Sequence, residues 1–142
     1  MVAPRTRHYA KCLVSAAVLI LVGVVVAPMA FARVVLNTIG PVAIVADHGR
    51  HIVVTGPIAC TAREKAHLRV TVTQRETGAL AEGHTRITCT GDSQQWEIHA
   101  STHGHESFQE GPAAAVAVAR TTDRGDVTDA HQWLVNITLV GD

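Results

Sequence analysis

Histidine is the residue type in this chain most able to do chemistry, and its densest group lies two thirds of the way along. His99, His103 and His105 fall within seven residues. In an extended segment, side chains two residues apart point to the same face, so these imidazoles would share one face. Imidazole is a common ligand for zinc and copper. The spacing therefore gives one hypothesis, a zinc or copper site. The alternative is a solvated strand end with a mobile turn at Gly104.

A second candidate site is the loop that follows this group, residues 102–111. It carries Glu106, Phe108 and Glu110, a mixture of acidic and aromatic side chains with no obvious structural purpose. Loops held by a rigid scaffold commonly carry binding residues. We therefore predict a binding loop here, against the alternative that it is a tolerated surface loop.

The sequence offers no catalytic residues that can be named. The serines that follow the N-terminal region are Ser93, Ser101 and Ser107, and none lies in a Gly-x-Ser-x-Gly motif. A phosphate-binding glycine loop and a His-Glu-x-x-His helix are both missing, and the carboxylates are scattered singly. These observations favour a non-catalytic protein. An extracellular hydrolase stays open as an alternative, because catalytic residues can converge from distant positions.

The N-terminus has the pattern of a cleaved secretory signal peptide, residues 1–32. Basic residues precede an uncharged apolar run over 12–26, and the small-residue triplet Ala30-Phe31-Ala32 follows it. Residues 33–40 would then be a loose leader, since new termini are poorly held. The uncharged run 13–32 is also about the length of a membrane span, so an uncleaved membrane anchor is the alternative.

The cysteines fit an exported protein. Cys12 leaves with the signal peptide, and Cys60 and Cys89 remain as a pair. An even number of cysteines in an oxidising compartment predicts a disulfide. A reactive thiol pair or a metal site is less favoured, because the spacing is not Cys-x-x-Cys.

Composition limits the partners and the number of domains. Cleavage after Ala32 leaves 110 residues, enough for one domain, with nine basic and twelve acidic residues and a net charge of −3. A mildly acidic average gives no sign of binding to nucleic acid or to an anionic membrane. We expect a monomer that meets an unknown partner outside the cell or in its envelope.

Apolar residues alternate with polar ones, which predicts half-buried antiparallel strands over residues 41–142. The clearest run is 68–73, and further strands are predicted over 41–46, 51–59, 85–90, 96–101, 114–120 and 133–140. About seven short strands with no convincing helix predict a single antiparallel β-sandwich, Ig-like in a loose sense. Trp96 and Trp133 each lie on the same face of their predicted strand as aliphatic residues, so we predict that they belong to the core. The alternative is that they are exposed platforms on which sugar rings stack.

Several short motifs also match a group of proteins. The segments are Thr55-Gly56-Pro57-Ile58-Ala59-Cys60, Gln74-Arg75-Glu76-Thr77-Gly78-Ala79 with Gly83, Cys89-Thr90-Gly91, Gly111-Pro112-Ala113 and Asp129-Ala130-His131-Gln132-Trp133. With them the chain resembles small secreted β-sandwich proteins of high-GC, actinobacterial-type bacteria. The resemblance implies an extracellular sandwich with one disulfide, and it brings no functional residues. The sequence as a whole predicts a secreted or cell-surface binding module of unknown ligand.

Overall fold

The computed structural model describes residues 34–37 and 39–142, and the predicted signal peptide lies outside them. The described chain is all-β, as predicted, and its one helical element is a 3-10 turn at Asp47–Gly49. All seven predicted strands coincide with observed ones, and β1, within the expected leader, is additional. The strands are β1 Val34–Asn37, β2 Val42–Ala46, β3 His51–Cys60, β4 Lys65–Thr73, β5 Leu80–Thr88, β6 Ser93–His103, β7 Gly111–Asp123 and β8 Asp126–Gly141.

Hydrogen-bonded pairing runs around seven of these strands without a break. The order is β3-β2-β8-β7-β4-β5-β6, and β6 pairs back onto β3. The β2–β8 pair is parallel and the other pairs are antiparallel. Strand β1 pairs with the end of β3, beside the ring. The sheet is therefore a closed, mixed, barrel-like one, and the predicted arrangement of two facing sheets is not confirmed.

Closure divides every strand into an inner and an outer face. On β4 the inner residues Leu68, Val70 and Val72 are buried. On β7 the inner face is formed by four alanines at alternate positions, Ala113, Ala115, Ala117 and Ala119. These small side chains leave room for larger ones from other strands, as in other small barrels whose interiors are filled. The largest is Trp96, which is 2% exposed and confirms the predicted core position. Trp133 is partly buried against the same core.

One end of the barrel is covered by the loop between β6 and β7. Phe108 of this loop is buried, and its N–H donates to the carbonyl of Gly49 at 2.9 Å. Buried Gln74 holds the next residue twice: its Nε2 donates to the Gln109 carbonyl at 2.9 Å, and its Oε1 accepts from the Gln109 N–H at 2.8 Å. Gly49 has a φ of +81°, and a Cβ there would lie 2.9 Å from the Phe108 nitrogen, so a side chain is excluded. The loop is a fixed lid on the core.

The disulfide and a small polar network lie at the end of β3 and β5. Cys60 and Cys89 form the predicted disulfide, with a Cα–Cα distance of 5.4 Å. It joins β3 to the end of β5, where β5 has separated from β6, since those two strands pair only over Leu80–Glu82. Nearby, buried Glu64 accepts from the Thr128 hydroxyl at 3.1 Å, which ties β8 to the start of β4.

Removing the disulfide should destabilise the fold strongly. We expect the Cys60→Ala/Cys89→Ala variant to lose about 3 to 4 kcal/mol of unfolding free energy. The reason is that the disulfide closes a loop in the unfolded chain and so lowers its conformational entropy. Urea unfolding of the variant, the oxidised protein and the reduced protein measures this. Equal midpoints for all three would contradict it.

Gly83 is required by the close approach of β5 to β6. A Cβ at this position would lie 2.5 Å from Ile98 Cγ2 and 2.7 Å from the His99 carbonyl oxygen. Gly83→Ala should therefore lower the unfolding free energy by about 1 to 3 kcal/mol through overpacking. Gly141→Ala is the matched control, since its new methyl would meet only the flexible end of the Glu110 side chain. A comparable loss in both variants would disprove the explanation.

Candidate functional site

The structure does not assemble the predicted set of three histidines. His99 lies on the outer face of β6 and contacts His51 of β3. His103 is exposed at the end of β6, and His105 lies in the loop, where its carbonyl accepts from Arg50 at 3.4 Å. Within residues 39–142, no three or more His, Cys, Asp or Glu side chains are arranged to hold a metal ion. A zinc or copper site at His99, His103 and His105 stays a prediction.

The predicted binding loop divides into buried and exposed parts. Phe108 belongs to the core, which supplies the structural purpose that the sequence did not reveal. Glu106 and Glu110 remain exposed, and Glu110 lines a groove of about 430 Å³ together with Asp47 and Asp142. Binding through these two carboxylates stays a prediction.

A larger groove, of about 920 Å³, lies on the outer face of β4, β5 and β7. The tip of the β7–β8 hairpin borders it with Gly125 and Val127. Most of the outward-pointing side chains that line this groove are arginines or histidines. The lining residues from these strands are His67, Leu68, Arg69, His84, Thr85, Arg86, Val118, Arg120 and Thr122.

The strand register explains why the basic residues meet. His67 of β4 lies directly opposite Arg86 of β5 on one side and Arg120 of β7 on the other. Lys65 and Arg69 lie two residues before and after His67 on the same outer face of β4. Strand spacing puts Arg86 and Arg120 about 10 Å apart at the backbone, and Lys65 and Arg69 about 13 Å apart. Four cations therefore lie around one imidazole. Arg69, Arg86 and Arg120 line the groove, and Lys65 lies on the same face of β4 outside its lining. This arrangement is hereafter called the basic groove.

This concentration of positive charge contrasts with the rest of the domain. Eight basic residues follow residue 38, against twelve acidic ones, and half of those eight are Lys65, Arg69, Arg86 and Arg120. Glu82 balances one of them, with its Oε1 at 2.9 Å from Arg69 Nε. The domain is acidic on average and basic at this face, a distribution that favours an anionic ligand at the groove.

The central imidazole is held in its neutral form. Arg86 Nε–H donates to His67 Nδ1 at 3.1 Å, so Nδ1 is the acceptor and the ring proton is on Nε2. Desolvation first, and then the positive charges of Arg86, Arg120 and Lys65, lower the pKa of His67 below its ordinary 6.5. His67 can thus donate a hydrogen bond from Nε2 to a ligand oxygen at neutral pH, beside the arginines.

A search against protein-family models and a search of curated proteins found no match to this chain. The resemblance to secreted actinobacterial-type proteins therefore stays a prediction. Its motifs also lie largely apart from the basic groove, which sequence reasoning missed. A signal was present, because Lys65, His67 and Arg69 occupy alternate positions of one strand. Recognising the cluster required knowing which strands are neighbours and in what register.

The titration of His67 tests the electrostatics of the basic groove. In NMR titrations followed at the imidazole carbons, we expect His67 to have a midpoint below 6.5 and Arg86→Gln to raise it, since a neighbouring cation is removed. Because the folded pKa is the lower one, His67 supports stability fully above pH 6.5, and this support is lost as the pH falls toward the folded pKa. The control is Arg75→Gln, beyond the other end of β4. An unchanged His67 midpoint in Arg86→Gln would contradict the described contact.

Proposed function

We propose that this chain is a non-catalytic binding module that works outside the cell and binds acidic polysaccharides in the basic groove. The observation that carries the proposal is the grouping of Lys65, Arg69, Arg86 and Arg120 around His67 on an otherwise acidic domain. Exposed groups of one charge sign attract ligands of the other sign over distances near the Debye length.

The chemistry of the groove fits oxyanions. Guanidinium groups present paired N–H donors whose geometry matches sulfate, phosphate and carboxylate oxygens. Lys65 adds a compact positive charge, and neutral His67 adds a directed N–H. Because the four cations are spread over about 10 to 13 Å of backbone, a ligand with several anionic groups would satisfy them better than a single small ion.

The lining also indicates which polymer is recognised. The described residues of the groove include histidines but no Trp, Tyr or Phe. Single-stranded nucleic acids are usually held by stacking of bases on such aromatic side chains together with backbone contacts. A groove that offers charge with little stacking surface is better suited to a polymer recognised through its acidic groups. This supports an acidic polysaccharide over a nucleic acid.

Several further observations support a binding role outside the cell. The signal peptide pattern predicts export, and the disulfide between Cys60 and Cys89 fits an oxidising compartment. The strands that carry the groove residues are rigid parts of a closed sheet, which favours a preorganised binding surface.

Binding of defined polymers tests the proposal. Dextran sulfate and polygalacturonate should bind at low salt, uncharged dextran should not, and binding should weaken as salt is raised. Arg86→Gln/Arg120→Gln should reduce the affinity at least about tenfold, since each lost charged hydrogen bond is worth about 1.5 to 3 kcal/mol. Isothermal titration calorimetry measures these affinities.

The matched control removes the same charge elsewhere. Arg50→Gln/Arg75→Gln lowers the net charge equally but leaves the basic groove intact, so binding should persist. Equal losses in the two double variants would mean that only net charge matters and would refute the site. Tighter binding to single-stranded or duplex DNA than to either acidic polysaccharide would refute the ligand class.

A further inference from the structure

A second cluster outside the basic groove joins two histidines across strands β3 and β6. The register pairs Val53 with His99 and His51 with Ser101, so His51 and His99 are diagonal neighbours on the outer face. Their rings face each other at a centroid distance of 5.2 Å, with planes inclined at 37°. His51 Nε2 and His99 Nδ1 are 3.0 Å apart. The pair lies 48 residues apart in the chain and forms only because β6 closes the barrel onto β3.

The separation of these nitrogens fits a shared metal ion. Zinc and similar ions bind imidazole nitrogens at about 2.0 to 2.1 Å, so two ligands at angles between square and tetrahedral are separated by about 2.9 to 3.4 Å. The observed 3.0 Å lies inside that range. An ion could therefore replace the hydrogen bond between the rings with little movement of the backbone.

Glu97 fixes the ring of His99 in the orientation that such an ion requires. Its Oε1 lies 2.8 Å from His99 Nε2, two residues along the same face of β6. A carboxylate that accepts the far N–H of a histidine sets the tautomer and increases the basicity of the other nitrogen, as in carboxylate–histidine–metal arrangements. With the proton on Nε2, the Nδ1 lone pair of His99 points toward His51.

We propose that His51 and His99 are the two protein ligands of a divalent transition-metal site, with Glu97 as the positioning residue for His99. The ligands are His99 Nδ1 and His51 Nε2, and on binding His51 changes tautomer: its Nε2 proton is lost to solvent and Nδ1 takes up a proton, so the ring stays neutral. Water completes the coordination. Of the common divalent ions, copper binds nitrogen ligands most tightly, so Cu(II) is the preferred ion and Zn(II) the weaker one.

This proposal keeps one member of the predicted histidine set and replaces the other two. His103 and His105 have no part in it, and β3 supplies the partner. It is independent of the proposed polysaccharide function, because the basic groove is built on β4, β5 and β7 and uses none of these residues.

Calorimetric titration of the untagged full chain, as the expressing cell processes it, with copper sulfate and with zinc chloride tests the site. We expect one equivalent of copper to bind, with zinc weaker. His51→Ala and His99→Ala should each reduce copper affinity at least about tenfold, and Glu97→Gln should weaken it by about tenfold through the loss of orientation. The matched controls His103→Ala and His105→Ala should leave it unchanged.

A spectroscopic readout keeps the proposal falsifiable if a variant folds poorly. Substoichiometric Cu(II) should broaden the imidazole resonances of His51 and His99 first in NMR spectra of the unsubstituted protein, and electron paramagnetic resonance should show coupling to two nitrogens. Absence of copper binding would overturn the proposal. So would broadening that begins at His103 and His105, or affinity that survives both His51→Ala and His99→Ala.

Discussion

The unbroken ring of backbone hydrogen bonds is the constraint on which the remainder of this molecule depends. Where the seven closed strands enclose the core, successive side chains alternate between the interior and the outer face. On β4, Ala66, Leu68 and Val70 point inward, so the intervening Lys65, His67 and Arg69 lie on the outer face. The same alternation on β3 and β6 directs His51 and His99 outward. The residues of both proposed sites therefore lie on the outer face of the sheet, opposite the core.

Both ends of the barrel reinforce this division. Phe108 covers one end; its N–H donates to Gly49, and the next residue, Gln109, is held by Gln74. The disulfide, together with buried Glu64 and its partner Thr128, strengthens the strand ends near Cys60. The loop that the sequence predicted to bind a ligand thus has a structural part, Phe108, beside the exposed Glu106 and Glu110. The basic groove and the histidine pair instead lie on strands that pair with at least one neighbour at these residues. Sites built on strands hold their geometry more closely than sites built on loops.

The sequence alone was enough to predict seven of the strands and the disulfide. Apolar and polar residues alternate within each strand, and the number of cysteines after the predicted signal peptide is even. The alternation could not distinguish a sandwich from a closed barrel, since both require one apolar face per strand. His67 lies beside Arg86 and Arg120, and His51 beside His99, because of the strand register between segments that are distant in the sequence. Register is set by the whole sheet, so no single stretch of sequence reveals it.

The parallel pairing of β2 with β8 brings together the first and last strands of the ring. The hairpins β4–β5 and β7–β8 can form from adjacent segments of the chain. Strand β2, in contrast, can pair with β8 only once Thr138–Gly141 are present. Contacts between such distant segments are slow to form, because the intervening chain must first be ordered. The ring consequently cannot close until β8 is in place. Until then, the edge of β2 that faces β8 has no partner strand.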